Sequence, residues 1–347
     1  MNKNTFAHSF WISFVLGTAV FVVGLHFLWA GDYRKLPPPV MPPIWSKSYV
    51  AAYNTAFGDG LVDYHLYNTG IFGFSDRIKG ANILLCGNSH VMFGLSAGQL
   101  QEEYSAEGHP VKVFNLGQAG SNMEMVDSLV KSSGAHDQIA VMDTFSLDPG
   151  LPLLLPKAIK DALLWHETPL HAYVQVSKCW SEFWRDWLLD PYLPKLRIGS
   201  PWGESPLSFQ RFLGFTYLRD AGNGDAIALW HPNQGFIFSE AAGTAGHLIQ
   251  GRHKFNDMIP DDSTGGHFQA DLLEARHIRP VYTLIPYDGC ELGTRSADAQ
   301  PFIVIAEDRI MTYDGSHLTA ESRRVATERL FEGMKKLGLQ VSPPSHR

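Results

Sequence analysis

The sequence predicts an α/β domain of three layers, in which helices cover both faces of a mostly parallel, five-stranded sheet. Two observations predict it. Short apolar runs of strand length alternate with helical stretches from Ile83 to Met142, and the alternation returns after Arg279. A chain of 347 residues, 45% of them hydrophobic, is long enough for one such domain with an insertion. We expect the domain at 80–340 and the insertion at about 148–265.

The individual elements follow from the spacing of apolar residues. Runs rich in apolar and β-branched residues are the predicted strands, namely Ile83–Cys86, Val111–Asn115, Ile139–Met142, Arg279–Pro286 and Phe302–Ala306. Stretches with helical spacing are the predicted helices, namely Leu95–Tyr104, Met123–Val130 and Ala320–Leu337. Thr319 stands where the last helix needs an N-cap.

The N-terminus predicts a membrane anchor. A short tail, 1–9, precedes the apolar run Phe10–Ala30, which at about 1.5 Å per residue can just cross a hydrocarbon core of about 30 Å. Trp11 and Trp29 stand near its ends, as interface aromatic residues do. A cleaved signal peptide is the alternative, although Leu28-Trp29-Ala30 is a poor cleavage site.

A linker and lead-in, 31–79, follow the anchor. Leu36–Pro43 is rich in proline and predicts an extended polyproline II spacer that holds the domain off the bilayer. The aromatic-rich stretch that follows it can pack back on the domain.

Within the insertion, Trp180, Trp184 and Trp187 recur at a spacing that places them on one helix face. Such a face can be core between the insertion and the sheet, or a stacking surface for sugar rings. The spacing of the three tryptophans does not distinguish these two interpretations.

Composition excludes several classes of function. A net charge of −7 argues against a nucleic-acid partner. Three cysteines give no disulfide framework, and Cys179–Cys290 is the only pairing we consider, if the domain is exported. The fifteen histidines lack the spacing of strong zinc motifs, so neither a metal nor a cofactor is expected.

Three stretches carry residues suited to nucleophilic chemistry. Ser89 follows the first strand after Gly87-Asn88, at the sheet edge where α/β proteins bind ligands. Asp314 and His317 stand just before the last helix and can supply an orienting carboxylate and a base. The Gly-rich turn after the second strand, which contains Gly120, can offer backbone N–H groups to an oxyanion. His90 is expected to face away from the base, as a turn residue or a substrate contact.

The order of these stretches resembles the SGNH (GDSL-type) hydrolase family. That family has its serine in a Gly-Asp-Ser turn, an oxyanion glycine after the second strand, and Asp-x-x-His before the last helix. The matches here are Gly87-Asn88-Ser89, Gly120 and Asp314-x-x-His317. The resemblance covers roughly 80–145 and 278–337 and implies a flavodoxin-like fold with Ser89, His317 and Asp314 as catalytic residues.

Two positions depart from the family pattern. Asn88 replaces the usual Asp. The third block, which ends in Met142-Asp143-Thr144, lacks the Asn that completes the family's oxyanion hole. The resemblance therefore implies a hole made by the N–H groups of Ser89 and Gly120, which is either incomplete or completed by another donor, Asn122 or Thr144.

The resemblance also implies a function. Its membrane-anchored members suggest a serine esterase or O-acyltransferase acting on acyl esters, acetyl in the first place, of a cell-envelope or exported polysaccharide. The expected partners are an acylated carbohydrate, membrane lipid through the N-terminal helix, and a membrane-bound O-acyltransferase, with the domain in the periplasm. The alternative is an inactive SGNH fold that serves as a glycan-binding or scaffold protein of the envelope.

Overall fold

The computed structural model describes residues 15–18, 49–55, 62–118, 123–143, 172–174, 214–229, 247–248, 252–255, 276–287, 289–292, 301–305, 309–312, 317–339 and 341. Its strands are β1 Tyr49–Thr55, β2 Ile83–Cys86, β3 Val113–Asn115, β4 Ile139–Asp143, β5 Gly214–Asp220, β6 Ala226–Leu229, β7 His247–Leu248, β8 Arg252–Phe255, β9 Arg279–Leu284, β10 Gly289–Leu292, β11 Phe302–Val304 and β12 Met311–Thr312. Its helices are α1 Val62–Thr69, α2 Phe74–Lys79, α3 Ser89–Gly94, α4 Ala97–Ala106, α5 Met123–Ser133 and α6 Ala320–Lys336.

The central sheet confirms the predicted five parallel strands. Its order is β11-β9-β4-β2-β3, and every pairing is parallel. Counted along the chain, this is the order 2-1-3-4-5 of doubly wound sheets, whose direction of winding reverses at the first strand. The carboxyl end of β2 therefore lies at the position where such sheets bind ligands.

The sheet is buried because side chains pack on both of its faces. On one face Ile83, Leu85 and Val113 share a core with residues of α4 and α6, such as Leu100 and Leu330. On the other face Phe114 makes edge-on contacts with Tyr67 of α1 and Phe74 of α2. Val113 and Phe114 are adjacent in one strand, so these two clusters lie on opposite faces.

The lead-in packs as part of the same unit as the sheet. Ile71, Phe74 and Ile78 are fully buried. The Gln138 side chain, just before β4, donates hydrogen bonds to the carbonyls of Ile78 at 2.7 Å and Ala81 at 2.9 Å. Helices that precede residue 80 thus contribute to the core of the α/β domain.

A second, antiparallel sheet joins the lead-in to the insertion. Its order is β1-β5-β6, with Tyr49 opposite Asp220 and Thr55 opposite Gly214. The turn between β5 and β6 docks on the end of β3, where Asn115 N donates to Asn223 O at 2.8 Å. This small sheet is not predicted by the sequence analysis.

The helix boundaries next to Ser89 differ from the prediction. The helix expected from Leu95 begins at Ala97 with Ser96 as N-cap, and a separate short helix, α3, begins at Ser89. The N-cap prediction for α6 is confirmed, since Thr319 Oγ1 accepts a hydrogen bond from Ser322 N at 3.3 Å.

Several predictions fall on residues outside the described ranges. Of the predicted span Phe10–Ala30, only 15–18 are described, as helix with Val15 and Leu16 each 60% exposed. In the described residues no helix combines the length and apolar character that crossing a bilayer requires. The tryptophans Trp180, Trp184 and Trp187, and Cys179, also lie outside them.

Candidate functional site

Ser89 lies at the carboxyl edge of the central sheet, as predicted. β2 ends at Cys86, the turn Gly87-Asn88 follows, and Ser89 is the first residue of α3. Asn88 caps this helix, because its side-chain oxygen accepts a hydrogen bond from His90 N at 2.8 Å. An asparagine thus fills the capping role that an aspartate can also fill, and the departure from Asp leaves the turn intact.

His317 is held by the segment that leads into α6. Its neighbour Leu318 forms an isolated bridge with Thr312 of β12. Thr319 N donates to Met311 O at 3.0 Å, and Met311 N donates to Ser322 Oγ at 2.7 Å. These bonds fix the backbone on the C-terminal side of His317.

The structure brings His317 to the helix that carries Ser89. The His317 ring packs on Phe93 with centroids 5.5 Å apart and planes at 86°. Phe93 lies four residues after Ser89, and residues at this spacing share one side of a helix. The base predicted from sequence is therefore on the serine side of α3.

The predicted triad is only partly described. Ser89 and His317 are both partly exposed. Among the described residues no hydrogen bond joins these two side chains. Catalytic hydrogen bonds are often long or misaligned before substrate binds, so the absence of this bond is compatible with the predicted role. Asp314, Gly120, Asn122 and Thr144 lie outside the described residues, and their roles stay predictions.

Sequence reasoning missed a cluster of rings around His317. His90, which was expected to face away from the base, has its ring 5.9 Å from the His317 ring at 88°. The His90 ring also lies 5.1 Å from the ring of Tyr287, in the loop after β9. His90 is 3% exposed. Its position three residues before Phe93 on one helix is the only signal in the sequence.

The loop that leads toward Gly120 is fixed against α3. Leu116 N donates to Leu85 O at 2.8 Å and Gln118 N to Gly87 O at 3.0 Å, which extends the pairing of β3 with β2. A Cβ on Gly117 would overlap the backbone of Met92, so only glycine fits here. Arg219, fully buried on β5, donates to the Gly117 carbonyl from the other side.

Asp143 ends β4 next to the turn that carries Ser89. It is fully buried, and its Oδ1 accepts a hydrogen bond from Ile285 N at 3.2 Å. An ionised carboxylate only accepts hydrogen bonds and cannot donate one to an oxyanion. In its ionised form Asp143 therefore cannot replace the amide donor that the family pattern expects in this block.

In the described part of the chain, no group of three or more His, Cys, Asp or Glu side chains is placed to hold a metal ion. Neither a family model, a curated protein nor a solved structure matches the chain.

Proposed function

We propose that this protein is a serine-dependent esterase or O-acyltransferase with a three-layer, flavodoxin-like SGNH fold. One observation carries the proposal. His317, far from Ser89 in the sequence, packs its ring against Phe93, one helical turn beyond Ser89. The parallel sheet of order 2-1-3-4-5, with Ser89 at the end of its first strand, supports the same conclusion.

The proposed reaction has two steps, acylation of Ser89 and deacylation. Ser89 Oγ attacks the acyl carbonyl while His317 takes the serine proton and passes it to the departing alcohol. In the second step His317 takes a proton from water or a sugar hydroxyl, whose oxygen attacks the acyl-enzyme, and the proton returns to Ser89. Asp314 orients the imidazole, and the N–H groups of Ser89 and Gly120 stabilise the oxyanion, aided by Asn122 or Thr144.

The substrate and the location extend this proposal. A membrane anchor at Phe10–Ala30 and the proline-rich spacer after it suit an enzyme that works close to a bilayer. We place the domain in the periplasm, acting on acetyl or other acyl esters of an envelope polysaccharide. A membrane-bound O-acyltransferase is its proposed partner.

Asp143 favours a second candidate function. Its buried carboxylate accepts a hydrogen bond from Ile285 N and, when ionised, cannot itself donate one to an oxyanion. An inactive protein that binds glycan, or serves as a scaffold in the envelope, would tolerate the loss of such a donor.

A fluorophosphonate probe distinguishes the two functions, because it reacts only with an activated serine and releases fluoride. We expect the wild type to be labelled, and Ser89→Ala and His317→Ala to lose labelling and turnover of an acetyl ester. Asp314→Asn should keep a residual rate, because the base survives in a poorer tautomer.

Two exposed residues supply matched controls. Ser105→Ala and His109→Ala remove the same side-chain types away from the site and should label like the wild type. Equal labelling of wild type and Ser89→Ala would refute the assignment of the nucleophile. An unlabelled wild type would favour the scaffold.

A further inference from the structure

The carbonyl of Leu95, at the end of α3, accepts hydrogen bonds from two other parts of the fold. Asn115 Nδ2, at the end of β3, donates to it at 3.1 Å. Arg323 of α6 donates to it twice, from Nε at 3.0 Å and from Nη2 at 2.8 Å. The helix that begins with Ser89 is thus held at its other end by the helix that follows His317.

The guanidinium group of Arg323 also donates hydrogen bonds to two other residues. Its Nη1 donates to the carbonyl of Ala226 at 2.7 Å, and its Nη2 lies 2.9 Å from Oδ1 of Asp225. The side chains of the pair are only 16% and 15% exposed. A planar guanidinium can reach all these acceptors at once, whereas a lysine ammonium lacks the fork geometry.

Asp225 secures the next helix. Its carboxylate accepts hydrogen bonds from Ala97 N at 2.7 Å, Gly98 N at 2.9 Å and Ser96 Oγ at 2.9 Å. It therefore caps α4 from the turn that precedes β6. One ion pair joins the end of α3, the start of α4, the start of α6 and this hairpin.

This junction lies between the two halves of the proposed site. Ser96 N donates to Thr327 Oγ1 at 3.0 Å, so a second bond links the α3–α4 connection to α6. A Cβ on Gly94 would come within 3.6 Å of Leu318, the residue after His317. The junction therefore ties the α3–α4 connection directly to α6.

We propose that Arg323 and Asp225 are positioning residues for Ser89 and His317. This inference rests on the proposed function. Their ion pair sets the distance between the nucleophile on α3 and the base before α6. A misplacement of about 1 Å can cost about 100-fold in rate.

The test compares the rate of fluorophosphonate labelling at Ser89, and kcat and KM for an acetyl ester, across a set of full-length variants. Arg323→Met keeps the aliphatic packing and removes the fork. We expect a fall in kcat and in labelling rate of about 10- to 100-fold with KM changed less than about 2-fold. Arg323→Lys should recover part of the loss, and Asp225→Asn should give a smaller fall of the same kind.

Two controls on α6 separate positioning from stability. Arg324→Met removes the adjacent arginine, whose side chain is 56% exposed, and should keep wild-type kcat. Met334→Ala opens the buried core of the same helix and lowers the melting temperature without reaching the junction.

The inference fails if folded Arg323→Met and Met334→Ala lose the same melting temperature and also the same fraction of kcat. It also fails if Arg323→Met changes KM and leaves kcat unchanged. It also fails if Arg323→Met does not fold and the folded Asp225→Asn keeps wild-type kcat. A labelled wild type with unaffected junction variants would overturn the inference and leave the proposed function standing. An unlabelled wild type would overturn both.

Discussion

Gln118 is a buried amide in the loop that leads toward Gly120. Its side chain is fully buried, and among the residues that the structure describes neither amide atom has a hydrogen-bond partner. Asn115, three residues earlier, is equally buried but satisfied, since Nδ2 donates to Leu95 O and Oδ1 accepts from Gly117 N. Two side-chain amides of similar burial thus differ in their hydrogen bonding. Comparing them isolates the effect of hydrogen bonding on the free energy of unfolding.

We expect Gln118→Leu to raise the free energy of unfolding by about 1 kcal/mol, because leaving a buried polar group unpaired is costly. Asn115→Leu should lower it by about 2 kcal/mol or more, because partner groups at the end of α3 lose their bonds. Chemical denaturation of both variants measures the difference. A loss of stability in Gln118→Leu similar to that in Asn115→Leu would show that Gln118 is paired in solution.

At the residue scale, local chemistry made part of the site predictable. Ser89 could be placed because a strand and a glycine-containing turn directly precede it in the sequence. That His317 lies near the helix of Ser89 was expected only through the family resemblance, since nothing local joins the two segments, and its contact with Phe93 was not predicted. The packing of His90 under His317 was missed, because the orientation of a buried ring depends on neighbours such as Tyr287 from another strand.

At the element scale, α4 and α6 pack through an aromatic contact. Tyr104 is 6% exposed, and its ring meets Phe331 edge-on at 4.9 Å. Its hydroxyl lies 3.9 Å from the sulfur of Met334. Burial, with a smaller contribution from Glu107, raises the pKa of Tyr104 to about 12. The fold therefore favours the neutral phenol.

This shift predicts a loss of stability at high pH. The contribution of Tyr104 is fully present below its unfolded pKa of about 10 and is lost as the pH rises from there through about 12. Tyr104→Phe keeps the ring and cannot ionise, so its stability should fall less steeply in that window. Denaturation at pH 8 and pH 11 compares the two proteins. Parallel decline of both would show that other groups, such as Tyr282, whose pKa burial also raises, account for the alkaline loss.

Elements with a regular apolar pattern were predictable, and elements without one were not. The five parallel strands and α6 have apolar runs or helical spacing over most of their length. α3 has only six residues, and all but the first are buried, so it has no polar face to reveal a period. The pairing of β1 with β5 joins distant parts of the chain, and no local feature sets that register.

At the scale of the whole molecule, the small antiparallel sheet marks where the N-terminal region becomes part of the folded domain. β1 begins at Tyr49, after the proline-rich spacer, and pairs along its length with β5. β5 carries Arg219, which holds the Gly117 loop near Ser89. The part of the chain before 44 can therefore be a membrane anchor, whereas the part from Tyr49 belongs to the folded domain.

Two truncations test this division. Removal of residues 1–43 should give a soluble protein that keeps β1 and does not float with lipid vesicles, because the predicted span Phe10–Ala30 is gone. Removal of residues 1–61 should also release the protein from vesicles, but it leaves the edge of β5 unpaired. The second truncation should therefore melt at a lower temperature and aggregate more readily than the first. Flotation at high salt and thermal unfolding measure the two effects independently.

If the shorter deletion still floated with vesicles, the anchor would lie elsewhere or be incomplete. If both truncations melted alike, β1 would not be part of the folded domain.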